Sequence, residues 1–122
     1  MPSSGLVITQ LGDVTVVNFR NASILDGPTV KAISDELHAL VDQQAQRKVL
    51  LDFSSVRFLS SSMLSVLIAM RTKAKAIKGR VILAGFRPKL REIFKITSTD
   101  KLFEFADTES QALACFDVFL ES

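Results

Sequence analysis

The spacing of hydrophobic residues predicts a β-hairpin followed by an amphipathic helix at the start of the chain. Residues 6–11 and 14–19 are rich in β-branched side chains, and the Gly-Asp pair between them suits a tight turn. Residues 20–24 are predicted to form a loop. A helix is predicted to begin near Asp26, because Pro28 suits a first helical turn. Apolar residues then recur at helical spacing, at Val30, Ile33, Leu37, Leu40 and Val41.

The rest of the chain alternates short apolar strands with helices. Strands are predicted at residues 48–53, 80–84 and 102–105, and helices at residues 63–78, 88–96 and 108–120. Gly79 is predicted to end the long helix in a left-handed conformation. Strands that alternate with helices require crossover connections and a largely parallel sheet, which the opening hairpin makes mixed. The prediction is a single α/β domain over residues 1–122, with a mixed sheet of four or five strands flanked by about four helices.

Composition and charge narrow the class of protein. Hydrophobic residues make up 48% of the 122 residues, so a core can form without a metal or a disulfide. The net charge of +2 is too small to bind nucleic acid through bulk charge. The longest apolar run, residues 63–70, is far shorter than the roughly twenty residues of a membrane span, and residues 1–11 show no secretory signal. Cys115 is predicted to be a small buried side chain in a reducing compartment, so we expect a soluble cytoplasmic protein.

Three consecutive serines stand where a functional site is expected. A buried strand ends at Asp52, a short loop follows, and Ser60, Ser61 and Ser62 come directly before an apolar helix. Loops at the carboxyl ends of strands commonly carry the sites of α/β proteins. The serines could simply cap the helix. Alternatively, one of them could be a phosphorylation switch, because a helix N-terminus tolerates a phosphate.

The segment that contains the serines follows a recognisable order of residues. Residues 48–56 are KVLLDFSSV and residues 58–64 are FLSSSML. This order resembles the signature of STAS domains, named for sulphate transporters and anti-sigma factor antagonists, in which Asp-Leu/Phe-Ser and a short loop precede Asp-Ser-Ser-Gly-Leu at a helix start. Similarity at Leu25-Asp26 and in residues 79–85 extends the resemblance over most of the chain. It implies a STAS fold, and a chain of this domain alone is most similar to the free-standing antagonists of bacterial partner-switching pathways.

The resemblance also implies a function and a set of site residues. Such antagonists bind an anti-sigma factor that is also a serine kinase, and thereby control transcription indirectly. Phosphorylation breaks the complex and a serine phosphatase restores it. By resemblance, Ser62 takes the phosphoacceptor position, Ser61 precedes it, and Asp26 takes an acidic position that borders the kinase-facing surface. Ser60 and Met63 stand where the signature has Asp and Gly, and all five residues are predicted to bind the partner.

Two other functions stay open at the level of the sequence. The protein could be a constitutive STAS interaction module in a larger signalling or lipid-transport assembly and not be phosphorylated. The departures from the signature at Ser60 and Met63 are compatible with this alternative. A small hydrolase or transferase would use Ser61 or Ser62 as its nucleophile and His38 as its base. One histidine and one cysteine are too few for a metal site. The prediction is therefore a non-enzymatic protein that needs no cofactor and contacts neither nucleic acid nor membrane, with an unknown oligomeric state.

The last third of the chain combines basic and aromatic residues. Residues 71–95 carry nine basic side chains and one acid, Glu92. They suit either solvated helix surfaces or a surface that steers an acidic protein partner. Only two aromatic residues, Phe86 and Phe94, lie among them, which argues against nucleic acid. The late phenylalanines are predicted to be core residues, with a patch between two copies as the alternative: Phe94, Phe103, Phe105, Phe116 and Phe119.

Overall fold

The computed structural model describes residues 5–42 and 46–116. The strands are β1 (Leu6–Leu11), β2 (Val14–Phe19), β3 (Ser23–Ile24), β4 (Lys48–Asp52), β5 (Phe58–Leu59), β6 (Arg80–Ala84) and β7 (Glu104–Ala106). The helices are α1 (Gly27–Asp42), α2 (Ser61–Ala76), α3 (Pro88–Ile96) and α4 (Glu109–Cys115), with a 3-10 turn at Asp100–Leu102. None of the described helices is long and apolar enough to cross a membrane.

Five strands form the main sheet, in the order β1-β2-β4-β6-β7. β1 and β2 pair antiparallel as the predicted hairpin, whereas the pairs β2–β4, β4–β6 and β6–β7 are parallel. The prediction of a mixed sheet with about four helices is confirmed. Because β4 and β6 are parallel neighbours, the loops that follow them meet at the same edge of the sheet, and this edge carries the candidate site.

Hydrophobic side chains cover both faces of the sheet. In β4, Val49 and Leu51 belong to a large cluster that includes buried residues of α1, α2 and α3. Leu50, which points to the other face, packs in a smaller cluster with Ala112 and Leu113 of α4. This two-sided burial explains why β4 is continuously apolar instead of alternating. The predicted apolar stripe of α1 is also confirmed, since all five of its residues are buried.

Stacked aromatic rings support the carboxyl end of β4. The Phe53 ring centroid lies 4.3 Å from that of Phe19 and 4.6 Å from that of Phe86. Such offset ring pairs add to the stability that burial alone provides. The loop that leads to the three serines therefore starts from a well-packed base.

The late phenylalanines mostly behave as predicted. Phe94, Phe103 and Phe116 are buried, and Phe105 is half-buried against Phe94 with ring centroids 5.6 Å apart. Phe119 lies outside the described residues, as does the end of the predicted last helix. The described phenylalanines in the last third of the chain therefore belong to or pack against the hydrophobic core.

Two predicted elements and the predicted burial of one residue need correction. Residues 20–24 are not all loop, because β3 pairs parallel with β5. The last strand is Glu104–Ala106, later than predicted, because the 3-10 turn occupies residues 100–102. Cys115 is exposed, not buried. It is the last residue of α4, whose buried face consists of Ala112 and Leu113.

The long helix α2 differs from the prediction at both ends. It begins at Ser61, not Met63, because Ser60 caps it. The left-handed residue at its C-terminal end is Lys78, with a φ of 61°. Gly79 is required for a different reason: a Cβ there would lie 2.7 Å from the backbone oxygen of Arg47. The glycine thus allows close approach of two chain segments.

Candidate functional site

The turn after β4 is held by hydrogen bonds at the edge of the sheet. Asp52 is buried, and its Oδ1 accepts a hydrogen bond from the Ser54 backbone N–H at 2.9 Å. The Phe53 N–H donates to the Ala84 carbonyl at 2.9 Å, and the Val56 N–H donates to the Phe53 carbonyl at 2.9 Å. An aspartate that accepts from the backbone two residues ahead favours a tight turn. Asp52 therefore directs the chain out of the sheet.

The small sheet of β3 and β5 brings two helix starts together. Ile24 pairs with Leu59, and the Ser60 N–H donates to the Ile24 carbonyl at 3.0 Å. Because α1 begins soon after Ile24 and α2 soon after Leu59, the parallel register places their N-termini side by side. α1 and α2 then pack against one another. Asp26 is thereby placed on the same surface as the serines.

The three serines have different structural roles. Ser60 is the N-cap of α2, and its Oγ accepts a hydrogen bond from the Met63 N–H at 3.2 Å. Ser61 and Ser62, in the first turn, are exposed. Within the described residues, the Ser62 hydroxyl makes no hydrogen bond. The capping interpretation thus applies to Ser60, and the Ser62 hydroxyl is open to solvent.

Met63 does not take part in the surface, which corrects the prediction that it contacts a partner. Its side chain is 0% exposed. Met63, Leu67 and Met70 recur at helical spacing on the buried face of α2. The residue at this position therefore fastens the start of α2 to the core.

Asp26 has a local structural role in addition to its exposed charge. Its Oδ2 accepts a hydrogen bond from the Thr29 N–H at 2.9 Å, which fits a cap at the start of α1. This hydrogen bond lowers the pKa of Asp26 below its ordinary value. The carboxylate therefore stays charged at neutral pH, beside the start of α2.

Two exposed apolar side chains flank the helix starts, and sequence analysis did not single them out. Leu25 is 56% exposed and Phe58 is 58% exposed. Each stands next to a buried residue of the small sheet, Ile24 or Leu59. Adjacent residues of a strand point to opposite sides, so in β5 only Leu59 enters the core, whereas Leu25 directly follows the end of β3. The sequence alone does not show this alternation of buried and exposed residues, because it does not show that these short segments form strands.

A second carboxylate, that of Glu109, interacts with Asp52. The Glu109 side chain, at the start of α4, hydrogen-bonds with that of Asp52. Burial, followed by the hydrogen bond and the charge of Asp52, raises the pKa of Glu109 to about 7. A neighbouring negative charge disfavours ionisation, so Glu109 keeps its proton to a higher pH than an exposed glutamate does. No motif in the sequence pointed to this pair.

His38 is not placed to act as a base for the serines. It lies on α1, eleven residues after the start of that helix, which corresponds to roughly 16 Å along its axis. Burial, and then the nearby Lys73 charge, lower the pKa of His38. No hydrogen bond joins His38 to Ser61 or Ser62 in the part of the chain that the structure describes. His38 therefore does not supply the base that a serine nucleophile would need.

Comparison with known proteins agrees with this architecture. The STAS domain model matches residues 6–112. BtrV of Bordetella bronchiseptica, a proposed anti-sigma factor antagonist, is 30% identical over 105 residues, which cover 86% of this chain and 83% of BtrV.

Solved structures of antagonists have the same fold. An anti-sigma factor antagonist from Mycobacterium paratuberculosis superimposes with a TM-score of 0.79 at 26% identity, over 90% of this chain and 91% of that chain. The phosphorylated form of the Bacillus cell fate determinant SpoIIAA superimposes with a TM-score of 0.71 at 20% identity, over 91% and 98% of the two chains. With the family model matching most of its length, the chain belongs to the STAS domain family, in the branch of the anti-sigma factor antagonists.

Proposed function

We propose that this protein is a phosphorylation-controlled anti-sigma factor antagonist of a cytoplasmic partner-switching pathway. Its unphosphorylated form binds an anti-sigma factor that is also a serine kinase, and so controls transcription indirectly. Phosphorylation of Ser62 by that kinase releases the complex, and a serine phosphatase restores binding. The protein itself acts by binding, without catalysis. The observation that carries the proposal is the exposed hydroxyl of Ser62 on a helix whose cap is already filled by Ser60.

The start of α2 is electrostatically suited to a phosphate. Its first turn contains no acidic residue, and the nearby carboxylate of Asp26 belongs to the start of the neighbouring helix α1. A phosphoserine carries about −1.5 to −2 charges at neutral pH, which the positive end of the helix dipole tolerates. Since Met63 and Leu64 anchor the same turn in the core, the added charge would alter the surface and leave the fold in place.

The surroundings of Ser62 are suited to binding a protein. Leu25 and Phe58 expose apolar area on either side of the paired helix starts, and Asp26 adds a fixed negative charge. Apolar side chains with a charged neighbour are common features of protein interfaces. A phosphate placed among them would have to be desolvated on binding and would repel acidic groups of a partner. Both effects favour release of the complex.

The relatives support the proposal in two ways. BtrV, which is 30% identical, is itself a proposed anti-sigma factor antagonist. SpoIIAA, which shares the fold, exists in both an unphosphorylated and a phosphorylated form. Ser60 replaces the acid of the family signature, but serine and aspartate are both good N-caps. The departure is therefore compatible with the same helix start.

Phosphorylation is tested by incubating the protein with ATP and the serine kinase encoded nearest to its gene, followed by mass spectrometry of the phosphosite. We expect a single phosphate at Ser62. The Ser62→Ala variant should lose it, whereas Ser65→Ala, which removes an exposed hydroxyl from the same helix, should retain it. Phosphate on another residue, or none with the kinases of the genome, would overturn the switch.

Partner release is tested by calorimetry with the anti-sigma factor. Ser62→Asp should weaken binding at least tenfold, whereas the charge-matched Ser65→Asp should change it less than threefold. If Ser62→Asp binds with unchanged affinity, the protein is a constitutive STAS interaction module instead. Ester or phosphate hydrolysis that disappears in His38→Ala would point to an enzyme and contradict the proposal.

A further inference from the structure

A groove of about 620 Å³ lies at the same edge of the sheet as the serines. Arg57 and Phe58 form one wall, at the end of the turn that follows β4 and at the start of β5. Arg87, Pro88 and Lys89 form the other wall, at the beginning of α3. We call these five residues the basic groove.

The charges of the basic groove are not neutralised by the protein. Arg57, Arg87 and Lys89 line it with no acidic side chain among them. None of the three forms an ion pair within residues 5–42 and 46–116. Among the described residues, the only hydrogen bond from these cationic groups is from Arg87 Nη2 to the Ser54 carbonyl, at 3.4 Å. The groove therefore offers three positive charges to a ligand that binds in it.

Helix stability does not account for these cations. Arg87 is the N-cap of α3 and Lys89 lies in its first turn, which contains no acidic residue. Positive charges at the N-terminus of a helix oppose its dipole and destabilise it slightly. Arg57 lies outside any helix. A role in binding explains the three charges better than a role in folding.

The groove also contains an exposed aromatic ring. Phe58 is 58% exposed, and Pro88 adds a second apolar surface. Arginine pairs with carboxylates through two parallel hydrogen bonds, and an aromatic side chain offers contact area to an apolar neighbour. A single ring cannot stack a series of bases, as single-stranded nucleic acid binding requires. The combination fits an acidic peptide segment with an apolar residue.

We propose that the basic groove binds an acidic segment of a protein partner, with carboxylates on Arg57 and Arg87 and an apolar side chain against Phe58. The proposal rests on the proposed function only in assigning that segment to the anti-sigma factor. It also gives the phosphate at Ser62 a physical role. Phe58 is followed within a few residues by Ser62, so a dianion there would repel the acidic segment. The positive charges of the basic groove would then favour binding of the acidic segment, and the negative phosphate on the same surface would favour its release.

The test is a titration of the unphosphorylated ¹⁵N-labelled protein with a synthetic twelve-residue peptide of Glu and Asp with a central Leu-Phe pair. We expect saturable shifts of amide signals at Arg57, Phe58, Arg87 and Lys89, and a Kd of the order of 0.1 mM. The double variant Arg57→Glu/Arg87→Glu should bind at least tenfold more weakly. Phe58→Ala should bind about threefold to tenfold more weakly.

A charge-matched control distinguishes the groove from general attraction. Lys75 and Lys101 line a different basic pocket, beside the first residue of β6 at the opposite edge of the sheet. Lys75→Glu/Lys101→Glu should change peptide affinity less than twofold. Equal weakening in the two double variants, or no saturable binding to the wild-type protein, would overturn the proposal. Circular dichroism checks that each variant is folded.

Other occupants would be recognised in the same experiment. Stronger groove shifts with a twelve-residue oligouridine than with the peptide would assign the groove to RNA. Shifts that depend on protein concentration without peptide would assign it to a second copy of this chain. Either result contradicts the proposal. Because no kinase is involved, failure here leaves phosphorylation of Ser62 standing, and failure of phosphorylation leaves the peptide result standing.

Discussion

The wild-type protein is expected to lose stability as the pH rises towards 7, and replacing Glu109 with glutamine is expected to prevent this loss. In the folded protein, burial and Asp52 raise the pKa of Glu109 from an ordinary 4.5 to about 7. Between these two values the folded state holds a proton that the unfolded state has released. Unfolding therefore releases a proton, and the free energy of unfolding falls with increasing pH until the folded group is also ionised.

The size of this effect follows from the two pKa values. A rise of the pKa from 4.5 to about 7 corresponds to a loss of roughly 3 kcal/mol in the free energy of unfolding, before solvent screening is considered. Glu109 is partly open to water, and solvent screening reduces the expected loss to about 1–2 kcal/mol. Glutamine cannot ionise, but its amide can still donate a hydrogen bond to Asp52. Glu109→Gln should therefore be more stable than the wild-type protein at pH 8 and close to it at pH 4.5.

Urea unfolding followed by circular dichroism at several values between pH 4.5 and pH 8 measures this difference. Glu92→Gln is the matched control, because Glu92 is an exposed acid on α3 with no ion pair among the described residues. Its curve should run parallel to that of the wild-type protein. If Glu109→Gln also runs parallel, with no gain between pH 5 and pH 8, the folded protein does not raise the pKa of Glu109 and the reasoning is refuted.

Three further predictions concern the ends and the buried face of α2. Ser60→Ala should lower the free energy of unfolding by about 1 kcal/mol through loss of the N-cap, whereas Ser61→Ala should change it by less than about 0.5 kcal/mol; chemical denaturation compares the two. Met63→Ala should cost about 3 kcal/mol through a cavity in the core, visible as a lower thermal midpoint, and an unchanged midpoint would contradict its buried position. Lys78→Gly should stabilise the protein by about 0.5–1 kcal/mol, because glycine adopts the positive φ of Lys78 without strain; a lower urea midpoint would show that the left-handed turn carries no strain.

Local sequence signals predicted most of the fold. The hairpin, the apolar stripe of α1 and the continuous apolar run of β4 depend on the spacing of side chains along one segment. The exact ends of α2 were less predictable, because Ser60, Ser61 and Ser62 are all acceptable capping residues. Which one accepts the Met63 N–H is decided by the backbone path, and that path is fixed by the hydrogen bond from Ser60 to Ile24.

The candidate site was only partly predictable. The serines were identified by their position between a buried strand and an apolar helix, and the resemblance to STAS domains added Asp26; the structure places them at adjacent helix starts. Met63 was assigned wrongly, because the signature gives the residue type at that position but not the face of the helix that it occupies. The exposure of Leu25 and Phe58 was not recognised, because Phe58 lies in one of two very short paired strands and Leu25 directly follows the other.

By itself, the sequence determined the order of the main-sheet strands and the four helices, the mixed parallel sheet and the family, since each follows from periodicity or from a contiguous motif. Tertiary structure decided which residues meet. Asp52 and Glu109 lie far apart along the chain, as do Arg57 and Arg87, yet each pair converges where parallel strands end at the same edge of the sheet. Parallel strands need long crossover connections, so their ends bring together side chains whose proximity no local pattern records.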